Sequence, residues 1–252
     1  MSALWILVSP LTAEAGGMFG PPQTVSRESG GLNTAIGYRY AQDSYSDQKD
    51  YVVRQHQIYS QASYGSSKIW EIYGRIGIAD LKILDAFKSA SVLTTTSKDH
   101  FEENWKFFGT LGAKAFMPAN RFFGVGAFVQ GNYNFSNFTD DITGIQAGTP
   151  FVADWKVKHL WDVNFGIGFQ ATAPCGVNLY AGPYVYYAEA DVYFSGAVTG
   201  LQSQAPSVLL NNKVIAGGFL GVDIPLARGF RLNVEGQYTD RFSVGSAVTF
   251  TY

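Results

Sequence analysis

The sequence lacks most of the material from which several common classes of protein are built. It has one cysteine, Cys175, so neither an intrachain disulfide nor a cysteine-rich metal site can form. Only 15% of the residues are charged and the formal net charge is −2, so we expect no nucleic-acid partner. Three scattered histidines give no metal-binding pattern, and we predict no cofactor. No apolar run approaches the roughly 18–20 residues that a membrane helix needs.

The residues that are abundant favour β-structure. Glycine (28 residues), phenylalanine (19) and tyrosine (15) dominate the composition. Many glycines and aromatic residues with few charges argue against disorder. The chain of 252 residues is long enough for one large β domain.

The segment 155–171 shows the clearest pattern in the chain. Successive side chains of a strand point to opposite faces, so alternation in this segment indicates one long two-sided strand. One face is apolar and the other is polar or glycine. A transmembrane barrel strand has lipid outside and a polar lumen inside, over about 9–11 residues. The apolar face comprises Trp155, Val157, His159, Trp161, Val163, Phe165, Ile167, Phe169 and Ala171.

About ten such segments follow one another. The connections after the second, fourth, sixth and eighth segments are tight, and those after the first, third, fifth and seventh are longer and polar. The chain is therefore predicted to be all-β, with residues 31–252 forming a single closed antiparallel transmembrane β-barrel. Ten strands fit best, and eight or twelve remain alternatives. Short turns on one side and long loops on the other are typical of outer-membrane barrels, whose long loops face the cell exterior.

The first thirty residues lie outside the predicted barrel. Residues 1–15 have a short apolar core, and Ala13-Glu14-Ala15 fits the small-x-small cleavage pattern of an export signal, although a basic start is missing. Residues 16–30 are rich in Gly, Pro and Ser and are predicted to be an irregular periplasmic lead-in.

The alternation also predicts which side chains line the lumen and which meet the lipid surface. Charged lumen residues of both signs are expected to pair, since an unpaired charge at low dielectric is costly. Tryptophans are expected at the membrane interfaces. The predicted lumen set is Arg39, Glu71, Arg75, Lys106, Lys114, Asp162, Asp223, Arg231 and Glu235, and the interfacial set is Trp70, Trp105, Trp155 and Trp161.

The end of the chain carries a family resemblance. Val248, Phe250 and the terminal Tyr252 lie on one predicted face and resemble the C-terminal signature of bacterial outer-membrane barrels, which the barrel-assembly machinery reads. The hairpins rich in glycine and aromatic residues resemble the small opacity-like and OmpA-like barrels. This resemblance implies the bacterial outer membrane as location. It implies outer-membrane lipid, including lipopolysaccharide, and the assembly machinery as partners, beside an unknown extracellular partner.

Three functions remain open at this point. The resemblance implies a structural or surface-interaction protein first and a narrow passive pore second. The third is a hydrolase at the rim, of the omptin type, for which Asp140-Asp141 and Asp99-His100, both in predicted long loops, are the comparable residues. The Asp-x-His spacing of those proteases is absent, so we predict that the protein is not an enzyme.

Overall fold

The computed structural model describes residues 18–23, 31–46, 50–66, 69–87, 94–198, 201–204, 208–211, 215–239 and 241–252. The signal-like residues 1–15 lie outside these ranges. The described chain is all-β. Its strands are β1 (Gly31–Ser46), β2 (Asp50–Ser66), β3 (Trp70–Leu84), β4 (Thr94–Thr96), β5 (Phe101–Pro118), β6 (Phe123–Asn134), β7 (Phe138–Gln146), β8 (Thr149–Thr172), β9 (Asn178–Val198), β10 (Leu201–Gln204), β11 (Val208–Asn211), β12 (Ile215–Ala227), β13 (Phe230–Tyr238) and β14 (Arg241–Thr251).

Ten of these strands form a closed ring, which confirms the predicted antiparallel barrel. Its order is β1-β2-β3-β5-β6-β8-β9-β12-β13-β14, each strand is antiparallel to its neighbours, and β14 pairs with β1. Closure matters because it leaves no unpaired strand edge around the wall. Among the described residues, no helix is both long and apolar enough to span a membrane.

The two ends of the barrel differ in their connections. At one end, called here the short-turn end, brief turns join β5 to β6, β8 to β9 and β12 to β13. At the other, the loop end, β4 and β7 extend the sheet beside β8, while β10 and β11 pair with β9. The long connection predicted after the first strand is wrong, because β1 and β2 continue as a paired hairpin to Ser46 and Asp50.

The lower part of β8 has the two faces that the alternation predicts. Phe165 and Phe169 are 49% and 57% exposed on the outer surface. Asp162, Asn164 and Gln170 are buried on the inner surface. The barrel is therefore apolar outside and polar inside over this height, which is the arrangement that a bilayer requires.

One extra residue reverses this pattern towards the loop end of β8. Lys158 pairs with Asp191 and Trp161 with Glu189, so three steps along β8 match two along β9. His159 takes up the additional residue with a φ of 49°. Such a β-bulge turns every residue beyond it to the opposite face. The interfacial position predicted for Trp155 is wrong for this reason: its side chain points inward and is 7% exposed.

Trp155 belongs to an apolar cluster that fills the barrel at the loop end, called here the upper cluster. Its rings pack closely, for example the edge of Phe87 against Trp155 at 5.3 Å between centroids. Within the described residues it comprises Val53, Leu81, Ile83, Phe87, Phe101, Phe138, Ile142, Ala153, Trp155, Val157, Leu160 and Ala190.

The outer surface around the upper cluster is correspondingly polar. Lys82 pairs with Glu102 on the outside of β3 and β5, and His159 Nδ1 lies 2.7 Å from Asp191 Oδ2 on β8 and β9. Residues 71–83 of β3 keep a constant phase, so Leu81 and Ile83 point inward because the interior itself becomes apolar. The register does shift nearby, between Ala79 and Leu81, but the extra residue lies in β5. The loop end is thus built like a water-soluble barrel.

The upper cluster gives a direct test of this arrangement. Phe101→Ala is expected to lower the free energy of unfolding by about 3–5 kcal/mol, because a fully buried ring leaves a cavity that the rigid wall cannot fill. Phe107→Ala on the same strand removes an equal ring that is 60% exposed. Because lipid can occupy the space of the Phe107 ring, the expected loss of unfolding free energy is limited to the transfer of that ring from water to lipid, about 1.5–3 kcal/mol. Urea unfolding from lipid vesicles compares the two, and equal losses would contradict an interior position for Phe101.

Candidate functional site: the barrel lumen

The predicted lumen residues all lie on the inner face of the wall. Seven of the nine are buried, and Lys106 and Arg231 are half-buried near the two ends of the barrel. Glu71, on β3, lies 3.4 Å from the ammonium group of Lys114 on β5. Arg231 Nε donates to Asp223 Oδ2 at 2.6 Å, and Lys106 pairs with Glu103 at 3.5 Å. These pairings offset much of the cost of burying charge.

Two more of the predicted lumen residues are held by neutral groups. Arg75 donates through Nε to Gln61 Oε1 at 2.6 Å, and its guanidinium lies 4.9 Å from the ring centroids of Tyr59 and Tyr73. Asp162 accepts a hydrogen bond from Asn132 at 2.7 Å. Arg39 is 1% exposed and lies opposite Gln57 on β2 and Gly245 on β14 in the strand register.

Sequence reasoning missed the segment that occupies the centre of this lumen. Residues 18–23, called here the plug, enter from the short-turn end and lie inside the barrel, although residues 16–30 were predicted to be a periplasmic lead-in. Gln23 is lowest, where its N–H and side chain bond Gln170 at 3.1 and 2.8 Å. Met18 lies deepest, where its Sδ accepts from Tyr59 at 3.7 Å. The segment has no periodic pattern, so nothing in the sequence signalled its place.

The wall binds the plug through its main chain. The two carboxylate oxygens of Glu235 accept the N–H groups of Phe19 and Gly20 at 3.0 and 2.8 Å. Lys114 donates to the carbonyl oxygen of Pro21 at 3.1 Å. Hydrogen bonds to charged groups are the stronger kind, and these are removed from solvent.

Inward glycines make the room that the plug needs. A Cβ placed on Gly168 would lie 2.5 Å from the ring of Pro22, and one on Gly126 would lie 2.7 Å from Cβ of Pro22. A Cβ on Gly245 would collide with Met18. The cavity left among the plug, Glu71, Arg75 and the neighbouring wall has a volume of about 40 Å³, which leaves room for water alone.

The other predicted site residues lie on the outside of the barrel or at its loop end. Trp70 and Trp105 are exposed at opposite ends of the outer surface, and Trp161 lies half-exposed beside Tyr187 at 5.6 Å between ring centroids. The C-terminal residues Val248, Phe250 and Tyr252 also face outward. The ring of Phe250 packs against the rings of Phe230 and Tyr252, at 4.7 and 4.8 Å between centroids.

The residues compared with a rim hydrolase occupy structural positions. Asp140 and Asp141 lie within β7, not in an open loop as predicted. Asp140 pairs with Lys98 and accepts the backbone N–H of Glu102 at 2.8 Å. His100 Nδ1 accepts the N–H of Asp85 at 3.0 Å. No group of residues suited to hold a metal ion occurs in the described part of the chain.

Comparison with known proteins gives weak likeness only. No family profile and no curated protein sequence matches the chain. The translocator domain of autotransporter NalP from Neisseria meningitidis is similar in structure, with 9% identity, 88% of each chain covered and a TM-score of 0.48. The transport unit of autotransporter AIDA-I from Escherichia coli has 9% identity and a TM-score of 0.40, with 88% of this chain and 90% of that chain covered. The KdgM porin has 10% identity and a TM-score of 0.31, with 86% of this chain and 99% of that chain covered.

The Glu71–Lys114 pair allows the lumen electrostatics to be tested. Lys114→Met is expected to cost about 3–5 kcal/mol of unfolding free energy, because it leaves the Glu71 carboxylate buried without its cation. Adding Glu71→Gln should recover much of that loss. Lys82→Met breaks an exposed pair as a control and should cost at most about 1 kcal/mol. Urea titration of the wild type, Lys114→Met, Glu71→Gln and the double variant measures the cycle, and additive losses for the Glu71 and Lys114 changes would show that the pair is not coupled.

Proposed function

We propose that the protein is an integral barrel of the bacterial outer membrane with a structural or surface-interaction role, closed to passive diffusion. The outward belt of exposed Ile, Leu, Phe and Val side chains supports the membrane location. The loop end, polar outside and supported by the upper cluster, offers a rigid surface to an extracellular partner.

The observation that carries this proposal is a lumen filled in two different ways. The lower half holds the plug, fixed by Glu235, Lys114 and Gln170. The upper half holds the packed apolar side chains of the upper cluster. An apolar constriction of this kind opposes wetting and hence ion passage.

A narrow pore remains the second candidate because the lumen charges do not form one crosslinked network. Glu71, Arg75 and Arg231 each bond a different partner: Lys114, Gln61 and Asp223. Glu71 and Arg75 face the same small cavity beside the plug, while Arg231 lies near the short-turn end. If the plug and the upper cluster both gave way, a charged channel would remain.

Two partners follow from the proposed location. Outer-membrane lipid, including lipopolysaccharide, would cover the apolar belt and meet Trp105 and Trp161 near the loop end. The barrel-assembly machinery would read Val248, Phe250 and Tyr252 during insertion. No catalytic role is proposed for any residue.

Planar-bilayer recording tests the closed state. The wild-type protein, shown to be inserted by its resistance to added protease, is expected to give no steady stepwise conductance. A variant whose residues 18–23 are replaced by six Gly and Ser residues is expected to remain silent, because the upper cluster still blocks the loop end.

The outcomes separate the two candidates. Steady steps from the wild-type protein would overturn the closed barrel. Silence of the wild type with steady steps from the replaced variant would establish a pore held shut by the plug alone, in favour of the second candidate. Silence of both supports the proposal.

A further inference from the structure

The aromatic ring of the plug lies in a pocket formed by three other aromatic rings. Phe19 is 2% exposed. Its ring stacks on Phe128 at 4.0 Å between centroids and meets the edges of Tyr184 and Phe219 at 5.2 and 5.3 Å. A ring enclosed by three others at these distances has the geometry of a recognition pocket, in which aromatic pairs add to the benefit of burial.

The polar contacts recognise features that any peptide of the same sequence would carry. Glu235 binds two consecutive N–H groups, Lys114 binds the next carbonyl oxygen, and Gln170 binds both the main chain and the side chain of Gln23. The carboxylate of Glu235 is itself positioned by Tyr180 O–H at 3.0 Å and Gln237 Nε2 at 2.8 Å. The receptor groups are thus held ready by the wall.

The shape of the site selects particular residues as well. Gly20 has a φ of 74°, a left-handed conformation that favours glycine after the aromatic residue. Pro22 fits against Gly126 and Gly168, where a side chain on the wall would collide with it. The site therefore recognises an aromatic residue, a glycine and the second proline in order, and Lys114 binds the carbonyl oxygen of Pro21 between them.

We propose that the lower lumen is a binding site for a short peptide of the form aromatic-Gly-Pro-Pro, and that residues 18–23 are its tethered ligand. The partner is a polypeptide segment of this chemistry that enters from the short-turn end. Tethering raises the effective concentration of the resident copy to the millimolar range, so a free peptide competes only when that copy is absent. The site exists whether or not the barrel conducts ions.

The test uses the full chain with residues 18–23 replaced by Gly and Ser. The probe is the peptide Met-Phe-Gly-Pro-Pro-Gln with a dye on its C-terminal side, where the plug leaves the barrel. Fluorescence anisotropy is expected to show saturable binding to the replaced variant and at least about tenfold weaker binding to the wild type, whose site is filled.

Matched controls separate this site from general adhesion. The same peptide with Ala in place of Phe is expected to bind at least about tenfold more weakly, because the buried ring is lost. Adding Gly168→Ala to the replaced variant should weaken binding by a similar factor, since its Cβ would collide with the proline ring. Gly131→Ala, on the outer face where the nearest atom to the added Cβ is 3.7 Å away, should leave binding unchanged.

Equal affinity for the Phe and Ala peptides, or no binding to a correctly folded replaced variant, would overturn the proposal. If the replaced variant does not fold, the full chain carrying only Phe19→Ala is titrated with benzene. Benzene should raise the unfolding temperature of that variant above its effect on the wild type, by occupying the space among Phe128, Tyr184 and Phe219. An equal effect on both proteins would then overturn it.

Discussion

The structure depends on a difference in polarity between the outer and the inner surface of a wall that is one strand thick. Over most of its height the barrel places Phe165 and Phe169 outward and Asp162 and Asn164 inward. A closed ring satisfies the backbone, so side chains alone decide which medium each surface can face. Each buried charge then needs a partner inside, and each large apolar group needs lipid or another apolar group outside.

The same rule explains why the loop end is built the other way round. Towards the loop end the outer surface carries charged side chains such as Lys82 and Glu102, and the interior becomes the apolar side. The extra residue at His159 makes the change on β8, while β3 changes the character of its residues without changing phase. In the lower half the plug fills the lumen, and Glu235 accepts hydrogen bonds from its main chain.

The sequence sufficed for features that repeat along each strand. The ring of ten strands and the inward direction of residues such as Glu71 and Asp223 follow from alternation alone. Trp155 did not follow, since one inserted residue inverts all that lies beyond it and alternation does not reveal where the insertion falls. The plug was also missed, because its place depends on Glu235, more than two hundred residues away in the chain.

The most direct measurement of the polarity reversal is site-directed spin labelling along β8 in lipid vesicles, in a protein without its native cysteine. Labels at Val163 and Phe165, which both point outward, should be accessible to oxygen dissolved in lipid. A label at Asp154 should be accessible to a water-soluble relaxing agent, and one at Val157 should be shielded from both reagents. Lipid accessibility that continued through Val157 would contradict the reversal at His159 and the closed upper interior.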